Sequence, residues 1–330
     1  MAKYINYVPS LTFDAKDITH VSKYSDLSSL DVGENAFFAQ DLRYVIPETL
    51  KTEFGRISAR QVFPIDRRAG PGDQTIELRQ MTQVGAARIT TDYGNDIPLV
   101  NVFSEFTTTN VRSLTAAVEF SLQEIQSAAL AGQPLDRDKT EAAREAMLRE
   151  ENRIAWQGSA VHGLAGFFTD TNIPRFTVPA GVGGVTWDLK TGDEMVVDMG
   201  LTVNAIAEDT RGVEAPDTLL IPRAQYNLAA EARLTGIDST ALEYFAKVSP
   251  YIKGMDNIIP IDDIAGLGTA GVDTLIAYEK NPSKLVMNIP LDLQQLAPQE
   301  RDMVIRTIYH QRSGGVLIKR PISINIGQGI

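Results

Sequence analysis

Hydrophobic and polar positions follow different rhythms in different parts of this chain, and the rhythm divides it. From Met1 to about Val45 no period is sustained. Aromatics such as Tyr4, Tyr7, Phe13, Tyr24, Phe37 and Phe38 are scattered among serines and aspartates. A stretch of this kind buries little of its own surface, which predicts an extended arm ordered only where another surface receives it. Residues 46–59 read as a link. Pro64 and the turn cluster Gly70-Pro71-Gly72-Asp73 then precede Thr75-Ile76-Glu77-Leu78-Arg79, which alternates as a strand does. Gly85 breaks the alternation and Ala87-Arg88-Ile89-Thr90-Thr91 resumes it. Two alternating runs about a glycine turn predict a projecting β-hairpin within residues 60–100. A lone two-stranded hairpin is marginal in water, so this one is expected to lie on something.

Phe106 to Phe120 is rich in Thr, Val and Phe and predicts a strand of a half-buried sheet. Ser121-Leu122-Gln123-Glu124 is a capping box that opens a short helix with Leu122, Ile125 and Ala129 on one side, closed by Gly132 and Pro134. A second helix is predicted from about Leu135 to Gln157, ending at Gly158. At 1.5 Å per residue it is about 35 Å long. Its apolar stripe, Ala143, Met147 and Ile154, is thin, and charged residues cover the rest, including Glu145 and Arg149 at the favourable i, i+4 spacing. Residues 163–184 are rich in Gly and Pro and predict loops and short strands. Thr191-Gly192-Asp193-Glu194 is another capping box, followed by Met195, Val196, Met199, Val203 and Ile206 at helical spacing, with Gly212 as the stop. Beyond it, strands at 218–221, 257–261 and 274–278 alternate with helices at 223–233 and 240–247, an α+β arrangement. Strands are predicted again at 304–309, 316–318 and 322–326, with a turn at Ser313-Gly314-Gly315 and Pro321 marking an edge or a bulge.

Composition narrows what such a chain can do. With 330 residues and 43% hydrophobic content it is long enough for one large or two modest domains. No stretch approaches the roughly 18 to 20 uninterrupted apolar residues of a membrane-spanning helix, and Met1 to Ser10 lacks the basic-then-apolar order of a signal peptide. The absence of cysteine removes disulfides, thiolate nucleophiles and cysteine-based metal sites. A formal charge of −11 with no run of Lys or Arg is not the footprint of a nucleic-acid reader. It suits a solvated surface, or a wall that holds packaged DNA only in weak, non-specific contact.

Candidate chemistry is thin. His20, His162 and His310 are far apart and in no metalloprotease or triad context. Gly181, Gly183 and Gly184 are followed by Val185-Thr186-Trp187 rather than by a helix, so they read as a loop and not as a phosphate cradle. Asp262-Asp263, with Asp256 near, could supply carboxylates to a divalent cation, but the spacing matches no calcium loop and solvated turn residues are the plainer reading. Glu150 and Glu151 are adjacent on the long helix, point about 100° apart, and read as part of its solvated face. No catalytic residue, metal or cofactor is expected.

The order of elements is more telling than any single motif. Phe120-Ser121-Leu122-Gln123-Glu124-Ile125-Gln126, then Glu151-Asn152-Arg153-Ile154-Ala155-Trp156-Gln157-Gly158, then Gly163-Leu164-Ala165-Gly166-Phe167, with a closing stretch from Gly314 to Ile326, resemble the spine helix, its exit and the last strands of tailed-phage major capsid proteins of the Hong Kong 97 type. The likeness covers nearly the whole chain. It implies an α+β fold with an N-terminal arm (1–45), a link (46–59), an E-loop hairpin (60–100), a P-domain (101–185 with 301–330) carrying the spine helix at about 135–157, and an A-domain (186–300). It also implies self-assembly into hexamers and pentamers of an icosahedral virion shell made in a bacterial cytoplasm, a portal at one vertex, and optional scaffolding and decoration proteins. Some members of the fold weld the E-loop to a neighbour through a lysine–asparagine bond, yet residues 52–138 contain no lysine. A non-covalent shell is expected here. Because the fold lays the E-loop over a neighbouring P-domain, Arg79 and Arg88 are expected to meet Glu145 or Glu150 across that contact. Two rivals remain: a nanocompartment shell of the encapsulin type, and an acidic metal-dependent enzyme using Asp262 and Asp263.

Overall fold

The computed structural model describes residues 55–89, 98–131 and 135–330. The expected arm, most of the link, His20 and Thr90-Thr91 lie outside the described residues. In chain order the elements are α1 (Ala59–Val62), β1 (Ile65–Asp66), β2 (Thr75–Val84), β3 (Asn101–Asn110), β4 (Arg112–Ser121), α2 (Leu122–Ala131) and α3 (Leu135–Gln157). There follow β5 (Arg175–Thr177), α4 (Gly192–Asp209), β6 (Thr218–Ile221), α5 (Arg223–Glu231), α6 (Ala241–Val248), β7 (Ile258–Pro260) and β8 (Thr274–Tyr278). The last strands are β9 (Leu285–Asn288), β10 (Leu291–Gln295), β11 (Gln299–Arg301), β12 (Val304–Ser313), β13 (Gly315–Ile318) and β14 (Ile324–Gln328).

The hairpin forms, but not with the expected partner. β2 runs on to Val84 and pairs antiparallel with β3 in ten registered pairs, from Thr75 opposite Asn110 to Val84 opposite Asn101. The stretch 85–89, which includes Arg88, is not strand. Residues 102–109 offer more β-branched and aromatic side chains than 87–91 and a ladder twice as long, so the longer pairing wins. The single strand expected over 106–120 is two. Val111 is buried at the break, its N–H donates to the Gln74 carbonyl at 2.8 Å, and the chain changes partner there, from β2 to β12.

β12 pairs with β4 along one edge and with β10 and then β11 along the other, making a four-stranded sheet. α3 lies on one face of it, with Ala143 packed into the cluster of Val118, Phe120 and Tyr309. A five-stranded sheet has the order β5-β14-β8-β6-β7. Leu220, Ile276, Tyr278, Ile324 and Ile326 point into one core, and Leu219, Ile221, Leu275 and Ala277 into another beneath α4 and α6. Burial on both faces explains why β6 and β8 are continuously apolar instead of alternating. β14 therefore sits between β5 of the 101–185 section and β8 of the 186–300 section, while β9 to β11, which begin before residue 301, pair with β12, β13 and β1. Sheet pairing crosses the expected division because strands far apart in sequence are the ones that meet.

The helices follow their punctuation. α3 spans the 23 residues from Leu135 to Gln157, and Ala143, Met147 and Ile154 are buried. It exits through Gly158, where φ is +68° and a Cβ would stand 2.7 Å from the Gly166 amide nitrogen, so the chain doubles back closely enough for Trp156 to meet Phe167 at 5.8 Å. α4 carries the full capping box, with the Thr191 hydroxyl accepting from Glu194 N–H and the Glu194 carboxylate accepting from Thr191 N–H. Thr191→Ala is expected to cost about 1 kcal/mol, read as a lower midpoint in urea at unchanged slope.

Candidate assembly surfaces

A ten-residue ladder extends the hairpin by about 30 Å. Its root is fastened: Ile76 and Leu78 are half-buried, Thr109 is buried, and the Arg312 guanidinium donates to the Pro71 carbonyl. Farther out, Met81 is 60% exposed, Val102 55%, Phe103 60% and Phe106 59%. Arg79 stands opposite Phe106 in the register, with its guanidinium carbon 5.8 Å from the ring centroid. That contact leaves most of the ring and all of the outer aliphatics facing water. Apolar side chains in this number on a projecting ribbon mark a contact surface.

α3 shows two opposite faces. Glu145 is half-buried, while Glu150 is gripped by Arg153 one turn on, at 2.5 Å, and that hydrogen bond holds its carboxyl below the usual range. Glu151 is not solvated. It is 1% exposed and takes a two-pronged bond from Arg60, Nε to Oε1 and Nη2 to Oε2, both 2.7 Å, together with a bond from the Gln311 amide. Arg60 also reaches Asp292 at 3.3 Å, and Asp292 takes Arg67 Nε at 2.8 Å. Glu151 hydrogen bonding raises the Arg60 pKa against the opposing effect of burial. This network ties the segment entering the hairpin to α3 and to β10 and β12. A signal for it was present, since Glu151 stands four residues after Met147 and three before Ile154, on the buried stripe.

The two aspartates diverge. Asp262 receives Arg223 Nε on both oxygens at 3.0 and 3.1 Å, whereas Asp263 receives the Ser58 hydroxyl and, at 2.9 Å, the Asn152 side-chain amide. They serve as struts to different elements instead of facing one ion, and Asp256 is exposed. His162 is exposed and offers its backbone carbonyl to Arg112, and His310 lies in β12 opposite Thr115. Gly181 donates to the Gly184 carbonyl in a tight turn, and the N–H of the intervening Val182 is taken by Glu194, so the first turn of α4 is already occupied. α2 leaves Leu122 and Ile125 exposed beside Met303, whose carbonyl accepts from Leu122 N–H at 3.0 Å.

The described residues thus present apolar surfaces on a ribbon, a helix and a sheet end, with Glu151, Asp262 and Asp263 used as struts. A family model described as "Major capsid protein" matches residues 85–330. The chain belongs to the major capsid protein family. As a major capsid protein it is a subunit of a virion shell. Its fold is similar to that of the capsid subunit of Myoviridae phage XM1, at 17% identity over 88% of this chain and 98% of that one, with a TM-score of 0.77. It also resembles the capsid of the native GTA particle, at 11% identity over 91% and 99% with a TM-score of 0.63. A virus-like particle from Pyrococcus furiosus is similar at 14% identity over 81% and 90%, with a TM-score of 0.53. No curated protein matches the chain. No described helix is long and apolar enough to cross a membrane.

Proposed function

We propose that this major capsid protein builds an icosahedral phage head of hexamers and pentamers around double-stranded DNA, without catalysis and without covalent cross-links. The observation that carries the reading is the hairpin, fastened at its root and apolar where its own subunit does not cover it. Neighbouring copies supply the missing cover, and each buried apolar Å² contributes about 25 cal/mol. The hairpin overlies a neighbour's α3, where Arg79 and Arg88 meet the carboxylates of Glu145 and Glu150. Exposed pairs of this kind give about 0 to 1 kcal/mol each, so they set register more than strength. A portal occupies one vertex. The acidic chain keeps DNA in loose contact only. The fit to the phage capsid subunit favours this over a nanocompartment with protein cargo. Negative-stain microscopy of the expressed chain should show closed icosahedral particles, and their denaturing gel a single band near 36 kDa. A soluble monomer would overturn the shell, and a covalent ladder the absence of cross-links.

A further inference from the structure

The five-stranded sheet ends in two edge strands, β5 and β7, each paired on one side only, and an exposed apolar patch stands beside each. After β5 the chain folds a loop over the start of α4: Val182 N–H donates to Glu194 at 2.8 Å, and a Cβ on Gly183 or Gly184 would come within 2.7 Å of Leu189. Val182 and Leu189 are thereby presented together, with Val197 beside Pro179 and Ala180 in the wall of a cavity of about 230 Å³. Leu201 continues the patch one turn along α4. Two aliphatics at i, i+4 on the outer face of an otherwise well-formed amphipathic helix are out of place in a monomer. Asp188 and Asp193, both exposed, flank them and join no ion pair among the described residues.

At the other edge, the turn that leads into β7 is pinned to the end of α6 by Gly254 N–H donating to the Ala246 carbonyl at 3.4 Å. It exposes Val248 and Met255. Lys247 and Lys253 are exposed beside them and join no ion pair among the described residues; Glu243 and Asp256 are the carboxylates nearest in sequence. Unpaired lysines are a scarce resource in a chain of charge −11.

We infer that the β5-edge patch of one copy docks on the β7-edge patch of the next. Val182, Leu189, Val197 and Leu201 cover Val248 and Met255, and Lys247 and Lys253 meet Asp188 and Asp193. The edges are separated by four strand spacings, about 19 Å, so the contact joins unlike patches. A head-to-tail contact of that kind repeats from copy to copy and closes into a ring when its rotation is a fifth or a sixth of a turn, as the pentamers and hexamers of the shell reading require. The inference rests on the shell reading and assigns that reading's partner surfaces within a ring.

The chain's lack of cysteine makes a clean test. Full-length chains carrying one cysteine at each edge (Leu189→Cys or Val182→Cys with Val248→Cys or Met255→Cys) are assembled, oxidised and run on non-reducing denaturing gels. At least one pairing should give a ladder ending at rings of five and six copies, and the single-cysteine chains should not. In parallel, Lys247→Glu with Lys253→Glu should lower particle yield roughly tenfold or more, and adding Asp188→Lys with Asp193→Lys should restore most of it. Particles that form normally from every variant and give no ladder overturn this docking and leave the shell reading intact. A wild-type chain that stays monomeric overturns both.

Discussion

Replacing Phe103 and Phe106 together with glutamate is expected to leave a folded subunit that builds no shells. Both rings are about 60% exposed in the isolated subunit, so their loss opens no cavity in its core. The largest intramolecular loss is the Arg79 contact with Phe106, about 0.5 to 1 kcal/mol for an exposed cation–ring pair. On the proposed shell reading both rings, which lie on opposite faces of the ribbon, are covered by neighbouring copies. Fully burying a phenylalanine side chain is worth about 1.5 to 3 kcal/mol, and two per subunit, replaced by carboxylates that must then be desolvated, remove several kcal/mol from every copy. Each 1.4 kcal/mol is about tenfold in an equilibrium constant, so the concentration needed for assembly should rise at least a hundredfold. Circular dichroism and the thermal midpoint of the unassembled chain should stay close to wild type while sedimentation shows no particles. Normal particle yield from the double variant would mean that the ribbon is not an assembly surface. Thr82→Glu, at a neighbouring polar position of the same ladder, serves as the control for charge alone.

Much of the helical architecture was legible in the sequence because capping boxes and a 3.6-residue period are local signals. The ends of α3 fall at Leu135 and Gln157 as expected, and α4 begins just inside its Thr191 cap. Strand pairing was less legible, since it is decided by competition between distant segments. The alternation at 87–91 is real but short, and β3 outcompetes it. The separation of β8 from β14 by some fifty residues hid their pairing, and β9 to β11 are too short for alternation to show. At the candidate surfaces, Arg79 lies on the ribbon as expected, whereas Arg88 lies beyond the ladder's end. Glu150 and Glu151 look alike in sequence, and only the position of Glu151 on the Met147–Ile154 stripe separates a surface charge from a buried one.

That difference carries the second large prediction. Glu151→Leu is expected to destabilise the subunit by about 3 kcal/mol, toward the lower end for a broken buried pair because about a third of the Arg60 side chain remains in water. The Arg60 fork and the fully buried Gln311 amide both lose their acceptor, and Arg60 keeps only its single 3.3 Å contact with Asp292, whose other oxygen Arg67 holds. At roughly 2 to 4 °C per kcal/mol, Tm should fall by about 6 to 12 °C. Adding Arg60→Met removes the stranded cation and fills the gap with apolar atoms, so the double variant should recover most of the loss. Exchanging both partners of a buried pair for apolar groups is often close to neutral. If the double variant is no more stable than Glu151→Leu, the cost lies in packing around α3 and not in the unpaired guanidinium. A recovery in stability separates two roles of the network. Arg60 stands shortly before the root of the hairpin, and its grip on α3 and β10 fixes the direction from which β2 leaves the body. A double variant as stable as wild type but poor at forming particles would show that the buried charges aim the ribbon as well as hold the subunit together.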